Sequence, residues 1–229
     1  MQRSCGFSSS TPNFCTICDV RDKSICAELT PEEMKAVSQT MAHLPVKEAQ
    51  TLIEEGEGSE YLYLVVSGSF RLVRMLEDGR RQIVGFAFPG DYLGMGQVAA
   101  NDYTAEALEP SLVCRFSNGF LEEMGERHGG VKDRLISKGR TELHKAQDHI
   151  VILGKQNAEE RVLTFLKMLR QQFNSDEIYL SMSRQDMADY LGLRLETLSR
   201  TLTKLKKSGD ISRIDGRLVE IKPASAANG

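Results

Sequence analysis

Residues 183–209 read SRQDMADYLGLRLETLSRTLTKLKKSG, and the fold is decided by how this stretch is parsed. Ser183 is suited to cap a helix over Arg184–Leu191, which Gly192 then ends. A second helix is expected from about Leu195 to Lys207, closed by Ser208-Gly209. Leu195, Leu198, Leu202 and Leu205 recur at helical spacing and form its expected core-facing stripe. Downstream, Ile211–Ile214, the turn Asp215-Gly216 and Leu218–Ile221 read as a hairpin. Upstream lie a short strand, Ile178–Met182, and a helix, Glu159–Phe173, with Val162, Phe165, Leu166 and Leu169 on one face. Helix, glycine turn, helix and hairpin make a winged helix-turn-helix.

On the second helix Glu196, Ser199 and Arg200 stand at i, i+3 and i+4 and share one face. The first turns of a recognition helix meet base edges in the major groove. Arg reads guanine bidentately, Glu accepts from cytosine, and Ser serves either role. Arg194 and Lys204, with Lys206 and Lys207, are placed to reach phosphates. An isolated triplet would read equally as a solvated Glu–Arg pair worth about 0.2–0.5 kcal/mol. Regional charge tips the balance toward DNA. The 229-residue chain carries 29 Lys+Arg against 32 Asp+Glu, a net −3 that seems to oppose nucleic-acid binding. Residues 155–229 nevertheless hold 13 basic and 10 acidic side chains, leaving −6 on the rest. The acidic total conceals a basic reading module.

Working outward, the composition is that of a globular chain, 41% hydrophobic and 27% charged. The longest apolar run, Tyr61–Val66, falls far short of the roughly 20 residues of a membrane span, and no apolar leader follows Met1. A cytoplasmic protein is expected. Thr30-Pro31-Glu32-Glu33 reads as a helix start, with the helix running to about His43. From there to about Ser117 short strands alternate with Gly-bearing turns: Ser67-Gly68, Glu77-Asp78-Gly79 and Pro89-Gly90-Asp91. That pattern indicates an antiparallel roll or sandwich. Between Val131 and Leu153, Leu135, Gly139, Leu143, Ala146, Ile150 and Leu153 fall close to a heptad seam. Such a helix either docks on its own domain or pairs with its copy in a second subunit. The expected fold class is α+β, in four parts: a cysteine-bearing segment, residues 1–30; a roll, 31–130; a dimerisation helix, 131–154; and the winged helix-turn-helix, 155–229.

Four of the five cysteines, Cys5, Cys15, Cys18 and Cys26, crowd the amino terminus, and Cys114 lies far off at the end of an expected strand. Cys15-x2-Cys18-x7-Cys26 with Cys114 supplies four thiolates, suited to tetrahedral zinc or to an iron–sulfur cluster. Spacing alone separates neither from the other, and incidental reduced cysteines are the bland alternative. Cys5 is then the spare, with Phe14, Ile17 and Ile25 available as apolar shielding.

Asn157–Arg161, Met182–Gly209 with its Glu196-x-x-Ser199-Arg200 signature, Pro89–Gly94 and the long helix together resemble the CRP/FNR superfamily of bacterial transcription regulators. Ala107–Cys114 is similar to the segment carrying the distal cluster ligand of FNR-type oxygen sensors. The seven-residue gap before Cys26 is similar to that of the FnrN-type and AadR-type alphaproteobacterial subgroup. The resemblance implies a cyclic-nucleotide-binding-like sensory roll and a homodimer activating transcription from palindromic TTGAT-N4-ATCAA promoter DNA at low oxygen. It implies an oxygen-labile [4Fe–4S] cluster on Cys15, Cys18, Cys26 and Cys114, which supports dimerisation. It also implies a contact with RNA polymerase at Glu77, Asp78 and Gly79, although an ordinary charged hairpin tip fits those residues equally. Two departures stand out. Arg194 occupies a helix cap where relatives commonly have Ser or Thr, and Gly94–Ala100 lacks the Arg-Ser pair that holds a cyclic phosphate. A ligand-sensing regulator whose cysteines bind zinc or nothing is the alternative. An enzyme is not expected: no phosphate-binding glycine motif or catalytic Ser/His/Asp or Cys/His set is present.

Overall fold

The computed structural model describes residues 15, 17–58, 60–95 and 100–222, so Cys5, Phe14 and residues 96–99 lie outside the description. Contacts divide the chain into two compact units: Met1–Arg74 with Phe86–Thr141, and Met75–Gly85 with Glu142–Gly229. The expected α+β class, antiparallel roll and winged helix-turn-helix are all present.

In chain order the roll contains β1 (Ala42–Val46), β2 (Thr51–Ile53), β3 (Tyr61–Ser67), β4 (Phe70–Met75), β5 (Arg81–Ala87), β6 (Tyr92–Leu93), β7 (Thr104–Ala107) and β8 (Ser111–Ser117). One sheet has the order β1-β8-β3-β6 and the other β2-β7-β4-β5. Val65, Leu93 and Val113 of the first sheet meet Phe70 and Ala105 of the second in a shared core. Because strand side chains alternate between faces, Leu62, Leu64, Cys114 and Phe116 point the other way. That second face is also buried, beneath the amino-terminal segment and helices. A bulge between Val65 and Ser67 absorbs a register shift against β8. The Pro89-Gly90-Asp91 turn is built as its sequence suggests. Gly90 adopts φ +94°, and the Asp91 carboxylate accepts the Phe88 amide at 2.9 Å.

Helix α1 (Pro31–Thr40) opens with the expected capping box: Thr30 Oγ1 accepts the Glu33 amide, and Glu33 accepts the Thr30 amide at 2.8 Å. It stops short of His43, because Ala42–Val46 instead pairs with β8, placing His43 opposite Cys114. Cys114 therefore sits in mid-strand and not at a strand end. A further helix, α2 (Asn118–Arg127), capped by Ser117, falls where the sequence reading had none. Helix α3 spans Gly129–Lys155 and contributes residues to both units.

The second unit contains α4 (Ala158–Phe173), β9 (Glu177–Tyr179), α5 (Arg184–Tyr190), α6 (Leu195–Ser208), β10 (Ile211–Asp215) and β11 (Leu218–Ile221), with sheet order β10-β11-β9. Asn157 with Glu160, and Ser183 with Asp186, form capping boxes on α4 and α5. Gly209, at φ +84°, ends α6. Val162, Leu166, Ile178, Met187, Leu191 and Leu198 are fully buried. The α6 stripe differs at one position from expectation: Leu198, Thr201, Leu202 and Leu205 are buried, whereas Leu195 is 38% exposed. Leu195 stands at the very start of α6, at the edge of the core rather than within it.

His149 of α3 stacks on Tyr190 with ring centroids 4.0 Å apart, and its Nε2 lies 2.8 Å from the Tyr190 carbonyl oxygen, which fixes Nε2 as the donor. Burial pulls this imidazole below its ordinary pKa and outweighs the opposing effect of the carbonyl. Folding thus favours the neutral ring. The stabilisation is complete above about pH 6.5 and is lost as pH falls through the lower folded-state value. Melting curves between pH 7 and 5 should show a steeper acid loss in the wild-type protein than in His149→Phe.

Candidate functional site

Arg194 enters α6 in an extended conformation and supplies no side-chain cap. This leaves the amino-terminal amides of α6 open to an anion at the positive end of the helix dipole. Glu196, Ser199 and Arg200 are all exposed. The Glu196–Arg200 pair does not form; neither side chain makes a hydrogen bond or ion pair among the described residues. Ser199, Arg200, Thr203, Lys204 and Lys207 line one shallow groove. Lys204 is engaged by Glu159 of α4, so a phosphate would have to compete for it. The sequence reading missed Arg184, whose Nη2 donates to Gly216 O at 3.0 Å, and Arg217, whose Nη1 donates to Ser181 O at 3.1 Å. These bonds fix the turn of the β10–β11 wing against the start of α5.

Along α3 the proposed seam residues part company. Leu143, Ala146 and Ile150 are exposed, and Gly139 is half-buried. Leu135 packs against the core beneath the cysteine segment. Leu153 is half-buried and approaches Gly192. Ile136 and Val151 are exposed but were not in the expected set. Ile136, Leu143 and Ile150 are spaced by seven, a heptad signal the sequence already contained.

The four candidate ligands lie in or against one apolar cluster. Cys26 and Cys114 are buried in the same apolar cluster as Val20, Ile25, Leu64 and Tyr92, and Cys15 and Cys18 pack against it. All four are free thiols. Burial is the main force raising each thiol pKa, that of Cys15 to about 11. Like charge adds to this: Cys15 responds to Cys26 and Cys18, and Cys114 responds to Cys18, Cys26 and Cys15. Among the described residues, no three His, Cys, Asp or Glu side chains converge closely enough to hold a single metal ion. As a donor set, four coupled thiols in an apolar wall suit a cationic, thiophilic centre, whose charge would offset the burial of thiolates. Ile17 is 68% exposed and offers no shielding here, whereas Ile25 is buried.

The segment bearing three of these cysteines is anchored by residues the sequence reading did not single out. It folds into two 3-10 turns, Arg21–Lys23 and Ile25–Glu28. The Tyr92 hydroxyl accepts the Ile25 amide at 2.9 Å. Arg134, in the second turn of α3, donates Nη1 to Asp22 O at 3.0 Å and Nε to the Glu28 carboxylate. Lys138 reaches Gly90 O at 3.1 Å. At the β4–β5 tip, Asp78 accepts from the backbone and guanidinium of Arg80. The bond to the Arg80 side chain holds this carboxyl below its ordinary range.

Comparison with known proteins bears on this architecture. Residues 43–128 match the cyclic nucleotide-binding domain family, and residues 160–225 match the Crp-like helix-turn-helix domain family. The chain is 37% identical over 217 residues to the nitrogen fixation regulation protein FixK of Bradyrhizobium diazoefficiens, covering 93% of this chain and 92% of that one. The chain belongs to the CRP/FNR family of transcription regulators. The transcriptional activatory protein AadR of Rhodopseudomonas palustris is 36% identical, with 84% of this chain and 82% of that one covered. The solved structure of FixK2 from Bradyrhizobium japonicum superposes with a TM-score of 0.75 at 33% identity, over 82% of this chain and 99% of that one. These relatives fall in the FNR-type subgroup. Like other CRP/FNR regulators with this helix-turn-helix, the protein binds promoter DNA as a dimer and is not an enzyme. No helix among the described residues is long and apolar enough to cross a membrane.

A CRP/FNR regulator that reads bases through α6 should lose about 1–3 kcal/mol of specific binding in Arg200→Ala, with relaxed preference at one base pair. Lys207→Ala should weaken all sequences alike and lower the salt slope by about one. Titrations of a labelled duplex at several salt concentrations distinguish the two effects.

Proposed function

We propose that this regulator is an oxygen-responsive activator of the FNR type, with Cys15, Cys18, Cys26 and Cys114 holding a [4Fe–4S] cluster. The observation that supports this reading is that half-buried Cys15 and Cys18 pack against the apolar cluster that buries Cys26 and, from far along the chain, Cys114. Bound there, the cluster supplies an oxygen-labile tie between the amino-terminal segment and β8. The chain's own residues convey the consequence. Arg134 grips Asp22 and Glu28 in the cysteine segment from the first turns of α3. The same helix carries Ile136, Leu143 and Ile150 exposed. Holding the segment in place therefore holds the start of the helix whose apolar stripe pairs with a second copy. Pairing sets two copies of α6 about 34 Å apart, one turn of DNA, over a TTGAT-N4-ATCAA palindrome in the cytoplasm. Arg194, Glu196, Ser199, Arg200 and Lys204 are the residues that face that site.

Anaerobically purified protein should contain iron and acid-labile sulfide, absorb in the visible, and lose both colour and specific DNA binding in air. Serine at any of Cys15, Cys18, Cys26 or Cys114 should abolish the chromophore, while Cys5→Ser retains it. Arg134→Ala should keep the chromophore yet dimerise more weakly, as read by sedimentation. A colourless zinc protein would support the ligand-sensing alternative. Undiminished binding to the palindrome by cluster-free protein in air would overturn the oxygen switch.

The exposed Glu77-Asp78-Gly79 tip is the proposed contact with RNA polymerase. Asp78→Arg should leave duplex affinity unchanged and lower transcription in a purified polymerase assay.

A further inference from the structure

The last carbonyls of an α-helix have no partner within the helix. At the end of α5 and in the turn after it, side chains from three other elements donate to successive carbonyls, of which that of Asp189 also accepts backbone amides. Gln82 of β5 donates Nε2 to Asp189 O at 3.0 Å. His149 of α3 donates Nε2 to Tyr190 O at 2.8 Å. Arg161 of α4 donates Nη1 to Leu191 O at 2.9 Å and to Gly192 O at 3.5 Å, and Nη2 to Leu153 O at 2.9 Å. Beside Gln82, Arg81 donates Nη2 to Asp186 Oδ1 at 3.0 Å and to Asp189 Oδ2 at 3.2 Å. Asp186 is 1% exposed and also accepts from the Ser183 backbone amide and hydroxyl. Two adjacent β5 residues thus hold α5 by its buried capping carboxylate and by its final turn.

The connection from α5 to the recognition helix is short. Gly192 adopts φ +61°, and only Leu193 and Arg194 separate it from α6. A rotation of α5 is passed to α6 with little slack. His149 and Arg161 bind α5 from α3 and α4, as the unit's own packing requires. Arg81 and Gln82 come instead from the hairpin segment Met75–Gly85, which clusters with this unit despite lying more than fifty residues upstream of the rest of it.

We propose that Arg81 and Gln82 are positioning residues for DNA recognition: by clamping α5 they set the angle at which α6 presents Glu196, Ser199 and Arg200. They touch no base, and their effect reaches DNA only through α5 and the Gly192 turn. The clamp rests on the reading that α6 carries the base contacts.

The test uses the full chain, purified anaerobically, with fluorescence anisotropy on the TTGAT-N4-ATCAA duplex and on a scrambled duplex. Arg81→Ala should weaken specific binding about tenfold, and Arg81→Lys should recover most of it. Asp189→Ala should weaken binding too, and the Arg81→Ala/Asp189→Ala double variant should lose less than the two single losses combined. Dimer mass and visible absorbance should stay near wild type, and binding is compared well below the thermal midpoint, which should fall because the buried Asp186 carboxylate loses its partner. The salt slope should also hold, because no phosphate contact is removed. Unchanged affinity in Arg81→Ala, or full additivity in the cycle, would overturn the clamp. Tighter binding would mean that the contact restrains α6, and a lower salt slope that Arg81 itself meets phosphate; either result also overturns it. If Arg200→Ala is harmless, or the wild-type protein does not prefer the palindrome, the base reading fails instead.

Discussion

Strand β8 is buried on both faces, and the first unit is organised around that constraint. Its neighbours β1 and β3 satisfy its backbone, leaving side chains to alternate between two dry environments. Val113 enters the sandwich core, while Cys114 and Phe116 enter the core under the amino-terminal segment. A buried thiol opposite His43 and Leu64 would be an ordinary small apolar residue in most cores. Here Cys26 shares the cluster and Cys15 and Cys18 pack against it; burial raises each thiol's pKa, and like charge from its neighbours adds to this for Cys15 and Cys114. Burial therefore makes these thiols hard to ionise one after another in the free protein.

Polar links then carry the first core outward. Tyr92 holds the cysteine segment by a backbone amide, and Arg134 connects the same segment to α3. Neither link is large in energy; a half-exposed guanidinium pair contributes little to stability. Their value is geometric, because they join a short segment of little intrinsic order to the start of a 27-residue helix. In the second unit, Arg161 and His149 do comparable work where α3, α4 and α5 meet.

The periodic elements were legible from sequence. Capping residues at Thr30 and Ser183 stand at the starts of two helices, and Gly192 and Gly209 punctuate the reading motif. Short strands were less legible: β2 and β7 have three and four residues, too few to show alternation. The end of α1 was misjudged because the competing partner of Ala42–Val46 is β8, some seventy residues away. Leu195 was assigned to a buried stripe on periodicity alone, which cannot tell where a helix outruns its core. The same limit applies on α3, where Leu135 and Leu153 share the apolar period with Leu143 and Ile150 but pack within the chain.

The amino-acid sequence by itself determined the module order and the basic character of the reading half. Those properties reside in local patterns, in charge and in residue type, none of which needs a third dimension. Only the tertiary structure decided that the thiols share one apolar cluster, that Tyr92 and Arg134 bind the cysteine segment, and that Arg81 and Gln82 grip α5. Each of these is a contact between residues far apart along the chain. Single-chain periodicity carries no information on such pairs, because it records which face a residue occupies and not what that face will meet.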